Sequence, residues 1–245
     1  MNRLELENRI HRWLLARGWR VQRTTPVPEG WLPAHAYWYA AYLRRLGFRP
    51  GTLIDAGVAT GTNELYEAFP DAHLVLVEPV AEFTESIGKI LRSRKGVYFP
   101  VALGSEPGER ILRIEPYQPL LTSFYERHEV ERTGSEPVMR TVKVETLDRL
   151  VASTRCPRPF GLKIDVEGAE LEVIRGASQT LRETEFVISE VSVLPRFEGS
   201  YRMLDFVSEL DTQGFEVCDI LDIGRTATSH VAYFDLVFKR KDSTL

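Results

Sequence analysis

The sequence predicts an α/β fold with a mostly parallel sheet that carries helices on both faces. From Leu53 onwards, short apolar segments alternate with segments whose apolar residues recur at helical spacing. The apolar segments are continuous, as in AHLVLV at 72–77, which is typical of strands buried on both sides. Regular alternation of such strands with helices indicates parallel strands joined by crossover helices.

Each predicted element has its own local signal. The predicted strands of the main sheet are the apolar runs at 52–57, 72–79, 96–103, 160–168, 185–192, 215–221 and 231–240. The predicted helices lie at 63–69, 81–94 and 169–177, with a further helix whose apolar face is Met203, Phe206, Val207 and Leu210. Extra extended segments are expected at 109–116 and 140–147, whereas residues 116–140 have no clear pattern.

The first 48 residues differ from the rest and are expected to form a helical cap. Apolar residues at helical spacing predict one helix ending near Gly18, and RTTPVPEG at 23–30 is typical of a linker. A second helix is predicted over about 33–46, with Pro33 in its first turn. The predicted organisation is therefore a cap at 1–48 and an α/β domain at 49–245.

The composition argues against several classes of protein. The net charge is −4, so no overall basic field attracts nucleic acid or an anionic membrane. No apolar run approaches the ~20 residues that cross a bilayer, and the N-terminus lacks the features of a signal peptide. The two cysteines, Cys156 and Cys218, form no zinc motif and are expected to be reduced. We therefore expect a cytoplasmic protein that binds neither nucleic acid nor membranes.

The turn after the first strand, DAGVATGT at 55–62, indicates a ligand site. Ligands of such sheets bind beyond the carboxyl ends of the strands, and Gly57 and Gly61 permit close approach of a ligand. A dinucleotide usually needs the pattern GxGxxG, which Ala59 interrupts, and Asp55 would repel its phosphates. A cationic cofactor such as S-adenosylmethionine fits better, because Asp55 attracts its positive charge.

The second predicted strand ends in another acid, Glu78, which lies 23 residues after Asp55. A carboxylate at this position accepts hydrogen bonds from both ribose hydroxyls of a nucleoside. NAD-binding proteins use the same position, so Glu78 alone does not identify the cofactor. Together, the two acids at successive strand ends favour a nucleoside cofactor over two unrelated surface carboxylates.

The stretch GLKIDVEGAELEVIRGA at 161–177 closely resembles the signature of the FkbM-type methyltransferases. The segments VKVETLDRLV before it and VISEVS after it are also similar to that family, and the resemblance extends over about 50–240. It implies a class I methyltransferase (Rossmann-like) fold, whose seven-stranded sheet has an antiparallel last strand. It also implies S-adenosylmethionine as cofactor and a hydroxyl group of a sugar or natural-product scaffold as methyl acceptor.

The resemblance further implies a set of cofactor-binding positions. The family's first loop reads closer to D-x-G-A-N-x-G, whereas this chain has DAGVATG, so the polar residue that contacts the methionine carboxylate has moved. The adenine-side positions match Ala102 and Leu103, although no acid follows at once to bind the adenine amine. The expected cofactor-binding residues are Asp55, Gly57, Thr60, Gly61, Thr62, Asn63, Glu78, Ala102 and Leu103.

Methyl transfer to a hydroxyl requires an aligned acceptor and a group that removes its proton. Asp165 and Glu190 end two strands and Glu167 follows Asp165, so three carboxylates are expected to converge. The candidate catalytic residues are Asp165, Glu190 and His128, the last in an overhanging loop. Alternatively, Asp165, Glu167 and Glu190 hold a divalent ion such as Mg²⁺, although a helix N-terminus explains an acid at Glu167 equally well.

The expected partner is a small hydroxylated acceptor. The second predicted helix carries four aromatic residues, Tyr37, Trp38, Tyr39 and Tyr42. Part of this set is expected to pack on the sheet, and one or two are candidates for the acceptor pocket. Pairing of two copies of the chain through this helix leaves homo-oligomerisation open. The alternative functions are methyl transfer to nitrogen or to a macromolecule, and cofactor binding by a non-catalytic partner protein. A dehydrogenase is the least favoured function.

Overall fold

The computed structural model describes residues 40–128, 136–226 and 228–242. The strands are β1 (Thr52–Ala56), β2 (His73–Val77), β3 (Gly96–Phe99), β4 (Ala102–Leu103), β5 (Gly108–Ile114), β6 (Val138–Glu145), β7 (Phe160–Ile164), β8 (Thr184–Ser192), β9 (Phe215–Arg225) and β10 (Val231–Arg240). The α-helices are α1 (Ala40–Arg45), α2 (Asn63–Ala68), α3 (Thr84–Ser93), α4 (Leu147–Ala152), α5 (Glu170–Arg175), α6 (Ser178–Arg182) and α7 (Met203–Thr212). Short 3₁₀ helices lie at Ala81–Phe83 and Pro119–Leu121.

Seven strands form the main sheet in the order β3-β2-β1-β7-β8-β10-β9. The first five of these are mutually parallel, and β10 runs antiparallel between β8 and β9. The prediction of a seven-stranded, mostly parallel sheet with an antiparallel last strand is therefore confirmed. The strand order reverses at β1, so the carboxyl ends of β1 and β7 flank the crevice where ligands of such sheets bind.

Helices cover both faces of this sheet, as predicted. Successive strand residues point to opposite faces, so Leu53 and Ile54 of β1 belong to different buried clusters. The cluster of Leu53 includes apolar side chains of α1, α2 and α3, and the cluster of Ile54 includes those of α4 to α7. Because both faces are buried, the strands contain continuous apolar runs, which is the pattern that predicted them.

A second, three-stranded sheet lies beside the main one in the order β4-β6-β5. It contains both extra extended segments expected at 109–116 and 140–147. In it β4 pairs with β6 in parallel, and β5 pairs with β6 antiparallel. Residues 115–128 follow β5 without a regular strand, and an isolated bridge ties Arg113 to Ser123.

Part of the predicted cap lies outside the described residues. Only the end of its second helix is described, as α1, where Tyr42 donates a hydrogen bond to Asp219 of β9. The first predicted helix, the linker, Tyr37, Trp38 and Tyr39 fall outside, and the division at residue 48 stays a prediction. Within the described ranges, no helix combines the length and apolar character needed to cross a membrane.

Candidate active site

A cleft of about 230 Å³ lies at the carboxyl ends of the parallel strands. Among the residues singled out from the sequence, those that line it are Gly57, Glu78, Ala102, Leu103, Asp165, Glu167 and Glu190. Those that do not line it are Asp55, Thr60, Gly61, Thr62, Asn63 and His128. The acids predicted to end strands β2, β7 and β8 thus meet in one cavity, because parallel strands end at the same edge of the sheet.

Glu78 follows β2 and presents its carboxylate to the cleft from a buried position. One carboxylate oxygen accepts a hydrogen bond from the amide of Ala59 at 2.9 Å, and the other accepts one from the amide of Val80 at 2.9 Å. Burial raises the pKa of Glu78, although these two bonds oppose the effect. The carboxylate therefore holds the turn after β1 against the end of β2.

Asp55 is fully buried on β1, although the sequence predicted that it attracts the positive charge of a cofactor. One carboxylate oxygen accepts hydrogen bonds from Tyr66 and, at 3.0 Å, from Thr62. The other oxygen lies 3.4 Å from the ammonium of Lys163 on β7. Asp55 thus does not line the cleft and instead contacts Thr62, Tyr66 and Lys163. Its direct contact with a cofactor stays a prediction.

Lys163 is a buried cation at the centre of the sheet that the sequence analysis did not select. Its ammonium donates to the backbone oxygen of Gly57 at 3.0 Å and lies 3.3 Å from the carboxylate of Asp165. Burial alone lowers the pKa of a lysine, but Asp55 and Asp165 outweigh it and raise the pKa of Lys163. A charged residue inside the apolar strand FGLKI is the signal that could have identified it.

The turn after β1 approaches β7 closely. Gly57 has a φ of +82°, and a Cβ atom there would overlap the backbone oxygen of Asp165. Gly61 has a φ of +102°, and a side chain there would meet Ile90 of α3. Thr60 and Asn63, both exposed, lie on the outer side of this turn away from the cleft. Both positions thus require glycine because the turn packs closely against other parts of the protein.

Asp165, Glu167 and Glu190 converge as predicted. One oxygen atom of each carboxylate lies within 4.8 Å of the corresponding atoms of the other two. Asp165 is the most accessible, with 39% of its side chain exposed, against 13% for Glu167 and 15% for Glu190. Burial, together with neighbouring carboxylates, raises the pKa of both Glu167 and Glu190.

Two buried arginines accompany the acids, and the sequence analysis identified neither. Arg127 lies 2.8 Å from a carboxylate oxygen of Glu167, and Arg196 lies 3.4 Å from the same oxygen. Arg196 also pairs with Glu190. Both come from segments without helical or strand periodicity, so nothing in the local pattern distinguishes them from surface arginines.

The turn after β7 has an unusual backbone that directs Glu167 into the cleft. Glu167 has a φ of +54° and the following Gly168 a φ of +104°. Residues other than glycine rarely adopt such values, and the strain persists only where other contacts impose it. Here the buried Glu170 accepts hydrogen bonds from the amides of Val166 and Gly168. Ser123 donates to the backbone oxygen of Glu167 at 2.5 Å.

The backbone of His128, the predicted histidine base, lies beside the site. Its amide donates to the backbone oxygen of Arg196 at 3.0 Å. The preceding residue, Arg127, carries the side chain that contacts Glu167. The side chain of Arg127, one position earlier, thus contacts the acids, and a catalytic role for His128 stays a prediction.

These features define the class of protein to which the chain belongs. A family model described as the methyltransferase FkbM domain matches residues 55–217. This range contains every residue named above as lining the cleft, and it spans more than half of the chain. The chain belongs to the FkbM methyltransferase family.

Particular relatives are similar over part of their length. The hexuronic acid methyltransferase AglP of Haloferax volcanii is 30% identical over 139 residues, which are 57% of this chain and 55% of that protein. The match thus spans about half the length of this relative. Among solved structures, methyltransferase FkbM from Methylobacillus flagellatus KT has a TM-score of 0.46 at 11% identity, covering 78% of this chain and 43% of that chain. Aeropyrum pernix fibrillarin has a TM-score of 0.43 at 16% identity, covering 84% and 76%.

Proposed function

We propose that this protein is an S-adenosylmethionine-dependent methyltransferase that acts on a hydroxyl group of a sugar, a glycoside or a natural-product scaffold. The observation that carries the proposal is the cluster of Asp165, Glu167 and Glu190 in the same cleft as Glu78. One cavity combines an acceptor for ribose hydroxyls with groups that take up a proton. Membership of the FkbM family supports methyl transfer as the reaction.

The residues around Glu78 fit S-adenosylmethionine. Each carboxylate oxygen of Glu78 accepts one amide hydrogen bond and keeps a lone pair for a ribose hydroxyl. Apolar side chains beside it, including Phe83 and Leu103, suit the face of a purine. The acids at this edge of the sheet disfavour the pyrophosphate of a dinucleotide. When bound, S-adenosylmethionine supplies a methyl group activated by the adjacent sulfonium.

Removal of the acceptor proton is assigned to Glu190. Its carboxylate lines the cleft, and burial raises its pKa, which makes it a stronger base toward a hydroxyl group. Asp165, the most accessible of the three acids, is held by Lys163 and is placed to orient the acceptor hydroxyl by accepting a hydrogen bond. His128 is the weaker candidate, because its side chain does not line the cleft.

A divalent ion bound by the three acids is the competing arrangement, with Mg²⁺ the expected ion for oxygen ligands. The acids already have cationic partners, since Arg127 and Arg196 contact Glu167, and Lys163 contacts Asp165. Three positive charges at these positions repel a metal ion. We therefore expect EDTA to leave the rate of methyl transfer unchanged. A rate lost on chelation and restored by Mg²⁺ would assign the acids to a metal site.

The acceptor is proposed from the lining of the cleft and from the relatives. Apolar residues of the 115–128 segment and of β5, including Leu112, Leu120 and Phe124, form a wall of the cleft. Such a wall suits the carbon–hydrogen face of a sugar ring or an apolar aglycone. Because AglP is named as a hexuronic acid methyltransferase, glycosides of hexuronic acids are the first acceptors to test.

Calorimetric titration with S-adenosylhomocysteine tests the cofactor site. We expect the wild-type protein to bind it and Glu78→Gln to bind it at least tenfold more weakly, because an amide offers one acceptor oxygen instead of two. Glu109→Gln, on an exposed residue of β5, is the matched control and is expected to keep wild-type affinity. Binding of NAD without binding of S-adenosylhomocysteine would favour a dehydrogenase.

Transfer of labelled methyl groups to hexuronic acid glycosides tests the reaction. We expect product on a hydroxyl oxygen, identified by mass spectrometry and NMR, and no product from matched amines. Methylation of amines alone would contradict the oxygen acceptor. Cofactor binding with no transfer to any hydroxylated acceptor would favour the non-catalytic alternative.

A further inference from the structure

Arg196 joins two of the carboxylates at the acceptor end of the cleft. One terminal nitrogen of its guanidinium pairs with Glu190, and the other lies 3.4 Å from Glu167. Glu167 follows β7 and Glu190 lies near the end of β8, so this single side chain connects the ends of two strands. The guanidinium is buried, with 7% of the Arg196 side chain exposed.

The surroundings hold the guanidinium in place. Its central carbon lies 4.9 Å from the ring centre of Tyr233 and 5.3 Å from that of Phe197. The backbone oxygen of Arg196 accepts the amide of His128, and the isolated bridge between Phe197 and Arg127 fixes the next residue. Rings and backbone together restrict both ends of the side chain, so the positions of its two nitrogens are restricted as well.

Only a guanidinium spans the two acids in this way. Its planar fork presents several N–H groups in fixed directions and is charged at any pH at which the protein is folded. The ammonium of a lysine is a compact point charge on a flexible stem, so it does not present its donors in the fixed, planar directions of a guanidinium. The planar shape of the Arg196 guanidinium is therefore needed as well as its charge.

We propose that Arg196 is a positioning residue that holds Glu190 and Glu167 at a fixed separation and so directs Glu190 toward the acceptor hydroxyl. This inference rests on the proposed function, because it assumes that Glu190 takes the proton. It adds a residue outside the acidic cluster to the catalytic arrangement. The charge and the shape of the Arg196 side chain have different effects on Glu190, and separate variants can test each of them.

Removing the charge has a definite effect on the pH profile. Charged and titratable groups face Glu190 from several elements, namely Asp165, Glu167, Arg196, Tyr201, Tyr233 and Asp235. Burial and the first two acids raise the pKa of Glu190, whereas Arg196 lowers it. Loss of the Arg196 charge therefore raises this pKa further, and the acid limb of the kcat profile moves to higher pH.

The test compares Arg196→Lys, which keeps the charge, with Arg196→Met, which removes it. Arg175→Met is the matched control, because Arg175 pairs with Glu209 at the surface. We measure the affinity for S-adenosylhomocysteine, and kcat against pH with a hexuronic acid glycoside. We expect both Arg196 variants to bind within threefold of wild type and to lose at least tenfold in kcat. The acid limb is expected to move only in Arg196→Met.

The outcomes separate this inference from the proposed function. A wild-type kcat in Arg196→Lys would overturn the inference, because charge alone would suffice. An unmoved acid limb in a folded Arg196→Met protein would also overturn it. If Arg196→Met does not fold, the kcat of Arg196→Lys still decides. A wild-type protein that neither binds S-adenosylhomocysteine nor transfers methyl groups would contradict the proposed function, and the inference with it.

Discussion

Gly57 shows how a residue without a side chain brings two strand ends together. Its φ of +82° and its contact with the backbone oxygen of Asp165 leave no space for a Cβ atom. The backbone oxygen of Gly57 accepts the hydrogen bond of Lys163, whose other contacts are with acids. The position of the turn after β1 relative to Asp165 therefore depends on this one glycine.

Gly57→Ala is expected to destabilise the protein. The positive φ alone costs about 1–3 kcal/mol in a residue other than glycine, and the overlap with Asp165 adds to it. Gly88→Ala is the control, because Gly88 lies within α3 with open space around it, and alanine there stabilises a helix by about 0.5–1 kcal/mol. Thermal unfolding of the two variants measures the difference. Equal melting temperatures would contradict the close approach.

Glu190→Gln is expected to reduce kcat about 100-fold or more, because a positioned base contributes about 10²–10⁴ in rate. The affinity for S-adenosylhomocysteine is expected to stay within threefold of wild type, since the cofactor is assigned to the Glu78 side of the cleft. Glu209→Gln, which removes the acid of a surface arginine pair, is the control. A kcat that survives in Glu190→Gln would move the role of base to Asp165 or Glu167.

The sequence predicted acids at strand ends better than it predicted their partners. Glu78, Asp165 and Glu190 follow apolar runs, so their place at one edge of the sheet follows from the fold class. Arg127 and Arg196 reach the site from irregular segments, and their approach depends on contacts between residues far apart in the chain. Lys163 carried a local signal, because a charge within an apolar strand requires a partner.

At the scale of elements, residues 115–128, which follow β5, contact the acids. Ser123 donates to the backbone of Glu167, and Arg127 contacts the carboxylate of the same residue. A bridge between Arg127 and Phe197 ties the segment to the residues after β8. The conformation of residues 115–128 is thus determined by tertiary contacts, which explains why the sequence of these residues showed no clear pattern. The strands on either side, with their local apolar alternation, were predicted.

Ser123→Ala is expected to lower kcat several-fold while leaving cofactor affinity unchanged. The hydroxyl donates to the backbone oxygen of Glu167 at 2.5 Å and accepts the amide of Tyr125 at 3.0 Å, so its loss loosens the strained turn that directs Glu167. Ser153→Ala is the control, because it removes a hydroxyl that donates to the backbone oxygen of Leu150 at the end of α4, remote from the cleft. Unchanged kcat in Ser123→Ala, with the same stability as Ser153→Ala, would show that the turn needs no such support.

At the scale of the whole molecule, the site affects how stability depends on pH. Burial raises the pKa of four carboxyl groups in or next to the cleft, those of Glu78, Glu167, Glu170 and Glu190, and that of Glu185 elsewhere on β8. Between the ordinary pKa of a glutamate and these raised values, the folded protein binds more protons than the unfolded chain. Stability therefore falls as the pH rises through this window.

The melting temperature is accordingly expected to be higher at pH 5.5 than at pH 8. Glu190→Gln removes one of the raised groups and is expected to flatten this dependence. Differential scanning calorimetry across the range measures both curves. A wild-type melting temperature that rises steadily from pH 5.5 to pH 8 would mean that the buried acids are held ionised by their arginine and lysine partners.

The position of β10 between β8 and β9 has a consequence for the nascent chain. Among the strands that the structure describes, β9 pairs with β10 alone, yet β9 leaves the ribosome first. Until residues 231–240 have emerged, β9 lacks the strand with which it pairs, and its apolar side chains at Val217, Ile220 and Ile223 flank an unpaired edge. Tyr233, which lies against Arg196, arrives on the same late strand. The part of the cleft beside Arg196 is thus completed only once β10 has been synthesised, and a stall between β9 and β10 leaves an unpaired strand edge that is prone to aggregation.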